Sequence, residues 1–486
     1  MFWRGVIGYL PANIVQGLVG FGSLWVFTRL LSAESYGLYA VAFAVVSLVH
    51  TLLFTWTEAA MARFQVAEGD RGSEADHAAT LYRLAAWLSG GLMIVGVIAV
   101  LALREHPEMA LAIGVGLAAA APRCVMRLVQ ERARADGHVR TFVLLDVGAS
   151  LVGLAAGALL AEAGLGGAAP LAGAGVASLL CSLLTWRSER RRRVGGRFDA
   201  QRARRYAAYG LPVSVSLMLS IGLFSVDRMM IASLLSPADA GAYHAGYSVA
   251  SRTLDVLFIW LGAASGPALV AALERGGAEG LRRAALPQAE LMLLIALPAT
   301  VGIMLVSMPL AQVMVGPELR VAAAQVTPGI AVAALISGFS TYYVQTSFTL
   351  FKRTQMLLIT MSVPLAANVA LNVVLIPRLG LMGAVWATAV SFALGALTAW
   401  ALSGRTGRLP LPWATAVRCA LACAAMAVAV RALPASGGLF ELLLKAGVGG
   451  AVYVGCVLAL DAGRCRSLAM SAVRRFGPAP ALRPAE

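Results

Sequence analysis

The sequence predicts an all-α, polytopic membrane protein with about fourteen transmembrane helices, and three observations lead there. Of 486 residues, 59% are hydrophobic and only 13% charged, whereas a soluble domain carries about a quarter. Apolar runs of the roughly 20 residues a helix needs to cross hydrocarbon recur along nearly the whole chain. Lys and Arg, finally, are distributed unequally between the alternate connections of those runs.

The candidate spans lie near 8–28, 37–57, 84–103, 109–126, 141–161, 168–186, 209–232, 242–264, 287–307, 323–347, 355–376, 380–402, 412–431 and 438–460. The first, in "MFWRGVIGYLPANIVQGLVGFGSLWVF", has no small-residue cleavage site and reads as a retained helix. With the N-terminus inside, outward loops hold only Arg29, Arg104, Arg320, Arg378 and Arg431, while most of the 39 basic residues fall inward. That bias places both termini in the cytoplasm. The net charge of +15 therefore belongs to the inner leaflet, where "RSERRRRVGGRFDAQRARR" at 187–205 is densest, and nucleic acid is excluded as a partner.

The connections repeat. "LLSAESYGLYA" (30–40) joins the first two spans and "LLSPADAGAYH" (234–244) joins the seventh and eighth, with Leu-Leu-Ser, Gly and Tyr in register 204 residues apart. "LLAEAGLGGA" (159–168) and "LIPRLGLMGA" (375–384) likewise match at Gly164/Gly380 and Gly167/Gly383, 216 apart. Either echo alone would be no more than glycine ending a helix and Ser or Asp starting the next. In the same topological slots they predict two pseudo-symmetric six-helix lobes, 1–186 and 209–402. A basic linker (187–208) joins the lobes, and two additional helices (403–461) and a basic tail (462–486) follow. The hairpin at 30–40 is expected to have 234–244 as its partner. Duplicated lobes are an architecture of secondary transporters, whose substrate sits at the repeat interface.

No engine for another chemistry appears. Only Lys352 and Lys445 are lysines, and neither lies in a phosphate-binding G-x-x-x-x-G-K-[ST] loop. The five histidines are scattered, no G-x-S-x-G elbow occurs, and no large extramembrane domain remains for a soluble catalytic site. Cys419 and Cys423 share a helix face without a nearby His or acid to complete a metal site. The expectation is therefore a transporter with neither catalytic residues nor a cofactor or metal.

Charges inside spans are costly, about 2.5–3.5 kcal/mol each even on permissive scales, and so mark function. Span seven carries Asp227 and Arg228; span eight carries Arg252 and Asp255 on one face. These four either lock two helices together or contact substrate and ions. Asp146 is a further acid in the first lobe, and Glu58 and Arg63 stand at the inner end of span two. "STYYVQTS" (340–347) stacks Tyr342, Tyr343 and Gln345, while Asn368 and Asn372 share a face. Both strips suit either a polar cavity or helix packing.

At "FTRLLSAESYGLYAVAFAV" and "DRMMIASLLSPADAGAYHAGYSV" the chain resembles the polysaccharide exporters and O-antigen flippases of the multidrug/oligosaccharidyl-lipid/polysaccharide (MOP) flippase superfamily, and "LIPRLGLMGAVWATAVS" resembles their junction of helices eleven and twelve. The resemblance covers roughly residues 1–400. It implies an inner-membrane flippase that carries undecaprenyl-pyrophosphate-linked oligosaccharide, the unit of O-antigen, capsule or exopolysaccharide, to the periplasmic leaflet. Fourteen helices are also similar to lipid II flippases, whereas the multidrug branch has twelve. By this resemblance Arg228, Arg252 and Arg63 would contact the lipid pyrophosphate, with Tyr247 and Tyr343 beside the substrate. Asp227, Asp255 and Asp146 would couple ions, as acids do in multidrug members. Polysaccharide polymerase or ligase machinery would be a further partner. A pyrophosphate moving outward gains about 2.3 kcal/mol per charge per 100 mV, so the membrane potential or an ion gradient suffices as a driving force. The alternatives are a cation-coupled multidrug antiporter, a lipid II flippase and a membrane enzyme of envelope assembly.

Overall fold

A computed structural model describes residues 2–353, 355–405 and 407–467. Within them the chain is helical: α1 (Phe2–Leu30), α2 (Ala33–Leu53), α3 (Thr55–Asp70), α4 (Glu74–Ala102), α5 (Pro107–Ala135), α6 (Val139–Glu162), α7 (Ala169–Arg192), α8 (Ala200–Leu234), α9 (Pro237–Leu305), α10 (Ser307–Met314), α11 (Pro317–Phe339), α12 (Thr346–Leu350), α13 (Gln355–Leu379), α14 (Leu381–Ser403), α15 (Trp413–Arg431) and α16 (Gly438–Ala459). No strand occurs among the described residues. Twelve helical stretches there are long and apolar enough to cross a membrane. One of them, α9, runs 69 residues through a break at Gly277 (φ 58°) and carries two of the expected spans, eight and nine. Span one lies in α1. The expected all-α, polytopic fold class is the observed one.

Local chemistry explains the joints. Ser32 N-caps α2 by accepting from Ser35 N, and Asp199 N-caps α8 by accepting from Gln201 N and Arg202 N. Span two continues past its expected end, because Phe54 (φ −111°) offsets α3 from α2 without ending the run. Span ten is interrupted by a π-helical turn, Ser340–Val344, the kind of bulge that collects at functional positions.

The chain forms two compact units. The first comprises 1–249, 314–326 and 358–394; the second comprises 250–313, 327–357 and 395–486. The core of the first is built from α2 to α5 and α8 around Phe54, Met61, Leu81, Leu92, Leu128 and Tyr206. In the second, Leu261, Met292, Tyr343 and Phe348 form one cluster, and Cys419, Met426, Tyr453 and Val457 another.

Two close approaches position the first unit. On α6, Gly153 and Gly157 stand four apart and face α7, where a Cβ on Gly173 would lie 2.3 Å from Gly157 N. Small residues at this spacing let helix backbones touch. The repeated hairpins also meet. A Cβ on Gly37 would lie 1.6 Å from the Pro237 carbonyl oxygen, and one on Gly241 would lie 2.9 Å from both Ala33 O and Gly37 N. The glycine that recurs 204 residues later thus packs against its own counterpart. Substituting Gly37 by Val should cost at least about 1–3 kcal/mol of overpacking, because backbone rather than a mobile side chain opposes it. The expected outcome is a lower melting temperature and reduced membrane abundance by fluorescence-detected size exclusion, with Gly90→Val, where no atom lies within 4 Å, unaffected.

Candidate functional site

A buried polar cluster gathers on α8, α9, α13 and α14 within the first unit. Asp227, 1% exposed, accepts from Tyr243 Oη at 2.7 Å and Thr388 Oγ1 at 2.8 Å through Oδ2, and from Asn372 Nδ2 at 2.7 Å through Oδ1. Asn372 Nδ2 also donates to Asn368 Oδ1 at 3.0 Å, and Thr388 Oγ1 to the Ala384 carbonyl at 2.9 Å. All three of its hydrogen-bond donors are neutral. Asn372 Oδ1 and Asn368 Nδ2 are buried without hydrogen-bond partners. The shared face of Asn368 and Asn372, open between packing and function in the sequence, is one wall of this cluster.

Arg228 does not pair with its neighbour Asp227. Its Nη1 donates to the Phe224 carbonyl at 2.9 Å, its guanidinium lies 5.0 Å from the centroid of the Tyr247 ring, and its Nε has no hydrogen-bond partner. The side chain is buried. Of the four charges singled out in spans seven and eight, this pair alone belongs to the first unit. Arg252 and Asp255 lie in the second, exposed on α9, with no salt bridge between them. Arg63 is exposed on α3 with its guanidinium 5.9 Å from the Phe64 ring. Tyr343 is fully buried and donates to the Pro410 carbonyl at 2.5 Å, so its hydroxyl braces the π-helical turn. Tyr342 stacks on Phe258 with a 9° interplanar angle.

Asp146 lines a second polar region, also in the first unit. A cavity of about 240 Å³ opens among α1, α2, α5, α6 and α7, and Gln16, Tyr39, Arg123, Arg127, Asp146 and Ser150 face it. Asp146 accepts from Gln16 Nε2 at 2.8 Å and from Gln130 Nε2 at 3.3 Å. Arg123 and Arg127, one turn apart, make no salt bridge among the described residues, and Arg127 spends one nitrogen on Gln130 Oε1 at 3.2 Å. Sequence reasoning missed both arginines. Arg123 stands only three residues inside the end assigned to span four and Arg127 one beyond it, so both read as loop charge. The available signal was their i, i+4 spacing in "PRCVMRLVQ", which places them on one face. Beside them, His50 Nε2 meets Glu58 Oε1 at 2.9 Å across the Phe54 break.

At the basic end of these helices the acids are paired. Glu68, buried at 1% exposure, receives Arg205, Arg202 at 3.2 Å and the Ser73 hydroxyl at 2.7 Å. Burial raises its pKa, but Ser73 and the two guanidinium groups outweigh that and hold it below the ordinary glutamate value. Asp199 is held low by the backbone N–H groups of Arg202 and Gln201 that it caps.

Twelve helical stretches fit to cross a membrane, with a buried carboxylate caged near the end of α8, define a polytopic all-α membrane protein. The chain belongs to the polysaccharide biosynthesis protein family, whose model matches residues 26–324. No curated protein matches it. Among solved structures, the lipid II flippase MurJ in an inward closed conformation is similar with a TM-score of 0.75 at 13% identity, over 96% of this chain and 100% of that one. An inward-facing multidrug resistance MATE family transporter of the MOP superfamily is similar with a TM-score of 0.64 at 18% identity, over 80% and 93%. A MOP superfamily transporter from Pyrococcus furiosus Vc1 (DSM3638), its title citing reverse polarity of the binding pocket, gives 0.55 at 18%, over 83% and 95%. The chain therefore has the MOP flippase and transporter fold, as its hairpins implied.

Glu68 gives a prediction with a defined sign. Its lowered pKa means the folded state binds this proton less readily than the unfolded state, so its contribution is present above the unfolded carboxylate range and lost as pH falls through the folded value. Glu68→Gln should cost about 2 kcal/mol, less than for a wholly buried pair because Arg205 is 44% exposed. The expected observation is a thermal midpoint that falls less steeply on acidification in the variant than in the parent.

Proposed function

We propose that the protein is an inner-membrane flippase that moves undecaprenyl-pyrophosphate-linked oligosaccharide from the cytoplasmic to the periplasmic leaflet. Two six-helix lobes, 1–186 and 209–402, alternate in access, and both termini are cytoplasmic. The family membership and the MOP fold support translocation of a lipid-linked saccharide. The carrying observation is that Asp227 and Arg228, adjacent in sequence and both buried, form no salt bridge with one another and turn to different partners.

Each is thereby available to a mobile ion of opposite sign. Arg228, oriented by Tyr247 and with its Nε unsatisfied, contacts the pyrophosphate, which an arginine fork recognises well. Arg63 is a further phosphate contact in the first unit and Arg252 one in the second, and Tyr247 stands beside the substrate. Asp227 takes the coupling cation. The oxygens around it are carboxylate, amide and hydroxyl, which suit a hard cation such as Na⁺; a turn of the Asn372 amide would add its unpartnered Oδ1. The same carboxylate can accept a proton instead. Asp255 and Asp146 are further coupling acids. The inside-negative potential favours outward movement of the anionic head. Polymerase or ligase machinery takes up the product on the far side.

Deletion of the gene tests the substrate. Loss of surface polysaccharide with accumulation of the lipid-linked precursor is expected. Loss of viability with lipid II accumulating would instead identify a lipid II flippase, and altered drug resistance with intact glycan a multidrug antiporter. For the site, Asp227→Asn and Arg228→Gln should each lower export by about tenfold or more with membrane abundance unchanged. Disappearance of the protein from the membrane would make the pair structural.

A further inference from the structure

We propose that the pocket between the N-terminal half of α4, at Arg83, and the basic C-terminal end of α7 binds the phosphate head group of an anionic phospholipid. The two helices run in opposite directions, and both pass from apolar to aromatic to basic surface. On α7 the exposed Leu179, Leu180, Leu183 and Leu184 give way to exposed Trp186 and then to Arg187, Arg190 and Arg191. On α4 the exposed Leu101, Ile98, Val97 and Ile94 lead back to exposed Trp87 and then Arg83. Such a sequence of surfaces is that of a helix pair leaving hydrocarbon through the interface, with tryptophan at head-group level.

There the two helices enclose a cavity of about 430 Å³ whose walls include Tyr82, Arg83, Trp186, Arg190, Arg193 and Gly196. Arg193 is held over two rings, 4.3 Å from the Tyr82 centroid and 5.3 Å from that of Trp186, with its Nε donating to the Glu189 carbonyl at 3.1 Å. Its terminal nitrogens make no bond among the described residues. Arg83, Arg190 and Arg193 make no salt bridge there either. The neighbouring acid, Glu189, is buried and already committed, accepting from Arg132 Nη2 at 2.6 Å and from the Tyr82 hydroxyl at 2.8 Å. Three guanidinium groups thus line one cavity that has no carboxylate among its walls.

The pocket is also pre-formed. A Cβ on Gly196 would lie 2.1 Å from the Ala75 carbonyl oxygen, so the loop after α7 lies directly on α4. Arg197 N donates to Asp76 Oδ1 at 2.7 Å, and Asp199 N to Thr80 Oγ1 at 3.2 Å. Arginine forks match phosphate oxygens in pairs, and the leucine surfaces running from the cavity accept acyl chains. A zwitterionic head group would bring an ammonium against three arginines, so the site selects lipids with net negative charge, such as phosphatidylglycerol.

The test uses the purified full-length protein in mixed micelles of phosphatidylglycerol and phosphatidylcholine, read by native mass spectrometry. The parent protein should retain phosphatidylglycerol selectively. The combined Arg83→Gln, Arg190→Gln and Arg193→Gln variant should lose that retention by about tenfold, while Arg275→Gln with Arg282→Gln, exposed on α9, keeps it. Should the triple variant not elute as a single species, Trp186→Ala, a change at an exposed side chain, should weaken retention in the same direction. Equal retention of the two lipids by the parent, undiminished selectivity in the triple variant, or displacement of the lipid by millimolar inorganic phosphate would each overturn the proposal.

Discussion

A carboxylate cannot lie bare among apolar helices, and the arrangement around Asp227 follows from that constraint. Its desolvation must be offset by hydrogen bonds of good geometry. The offset comes from Tyr243, Asn372 and Thr388, which reach it from α9, α13 and α14. These three helices must therefore hold α8 in one register, and one charge specifies the packing of four elements. Because every donor is neutral, none of these bonds brings a compensating positive charge to the carboxylate. A guanidinium partner would have satisfied the same oxygens but left nothing for an incoming ion. The cage supplies structure without cancelling charge.

The 204-residue echo in the sequence links that cage to the second polar region. At the 204-residue offset, Asp227 corresponds to Ser23 and Tyr243 to Tyr39. Ser23 and Tyr39 both line the cavity that Arg123, Arg127 and Asp146 face. Positions matched at that offset thus sit in a filled polar cage in one case and at an open polar cavity in the other. At the end of both hairpins the glycines are retained, since Gly37 and Gly241 let backbone meet backbone where a single Cβ would clash.

Much of this was legible beforehand, because membrane helices announce themselves by length and hydropathy, and short connections carry little freedom to shift. The spans, the retained hairpins and the individual charges within α8 and α9 were read from the residues alone. What escaped the sequence were partnerships. Nothing in "VDRMM" says that Asp227 turns to Tyr243, Asn372 and Thr388 while Arg228 turns to Tyr247. Residues one apart on a helix point about 100° apart, and which neighbour each meets is decided by packing. Arg123 and Arg127 escaped for a different reason. Hydropathy finds the middle of a span well and its ends poorly, and α5 runs to Ala135, nine residues beyond the expected end at 126.

The distribution of pairing separates two kinds of charge in one fold. At the basic end, buried acids are met by cations: Glu68 by Arg202 and Arg205, Glu189 by Arg132. Those networks tie α3, α5, α7 and α8 together and leave little net field. Elsewhere in the same unit the pattern reverses: among the described residues Asp227 is bonded only to neutral donors, and Arg228, Arg123 and Arg127 form no salt bridge. If stability alone had shaped these positions, pairing or apolar replacement would have been the less costly solution, since uncompensated charge at depth costs several kcal/mol. Charge left without a salt bridge where that is costly, beside efficient pairing where it is cheap, is what the proposed function asks of a site that receives ions.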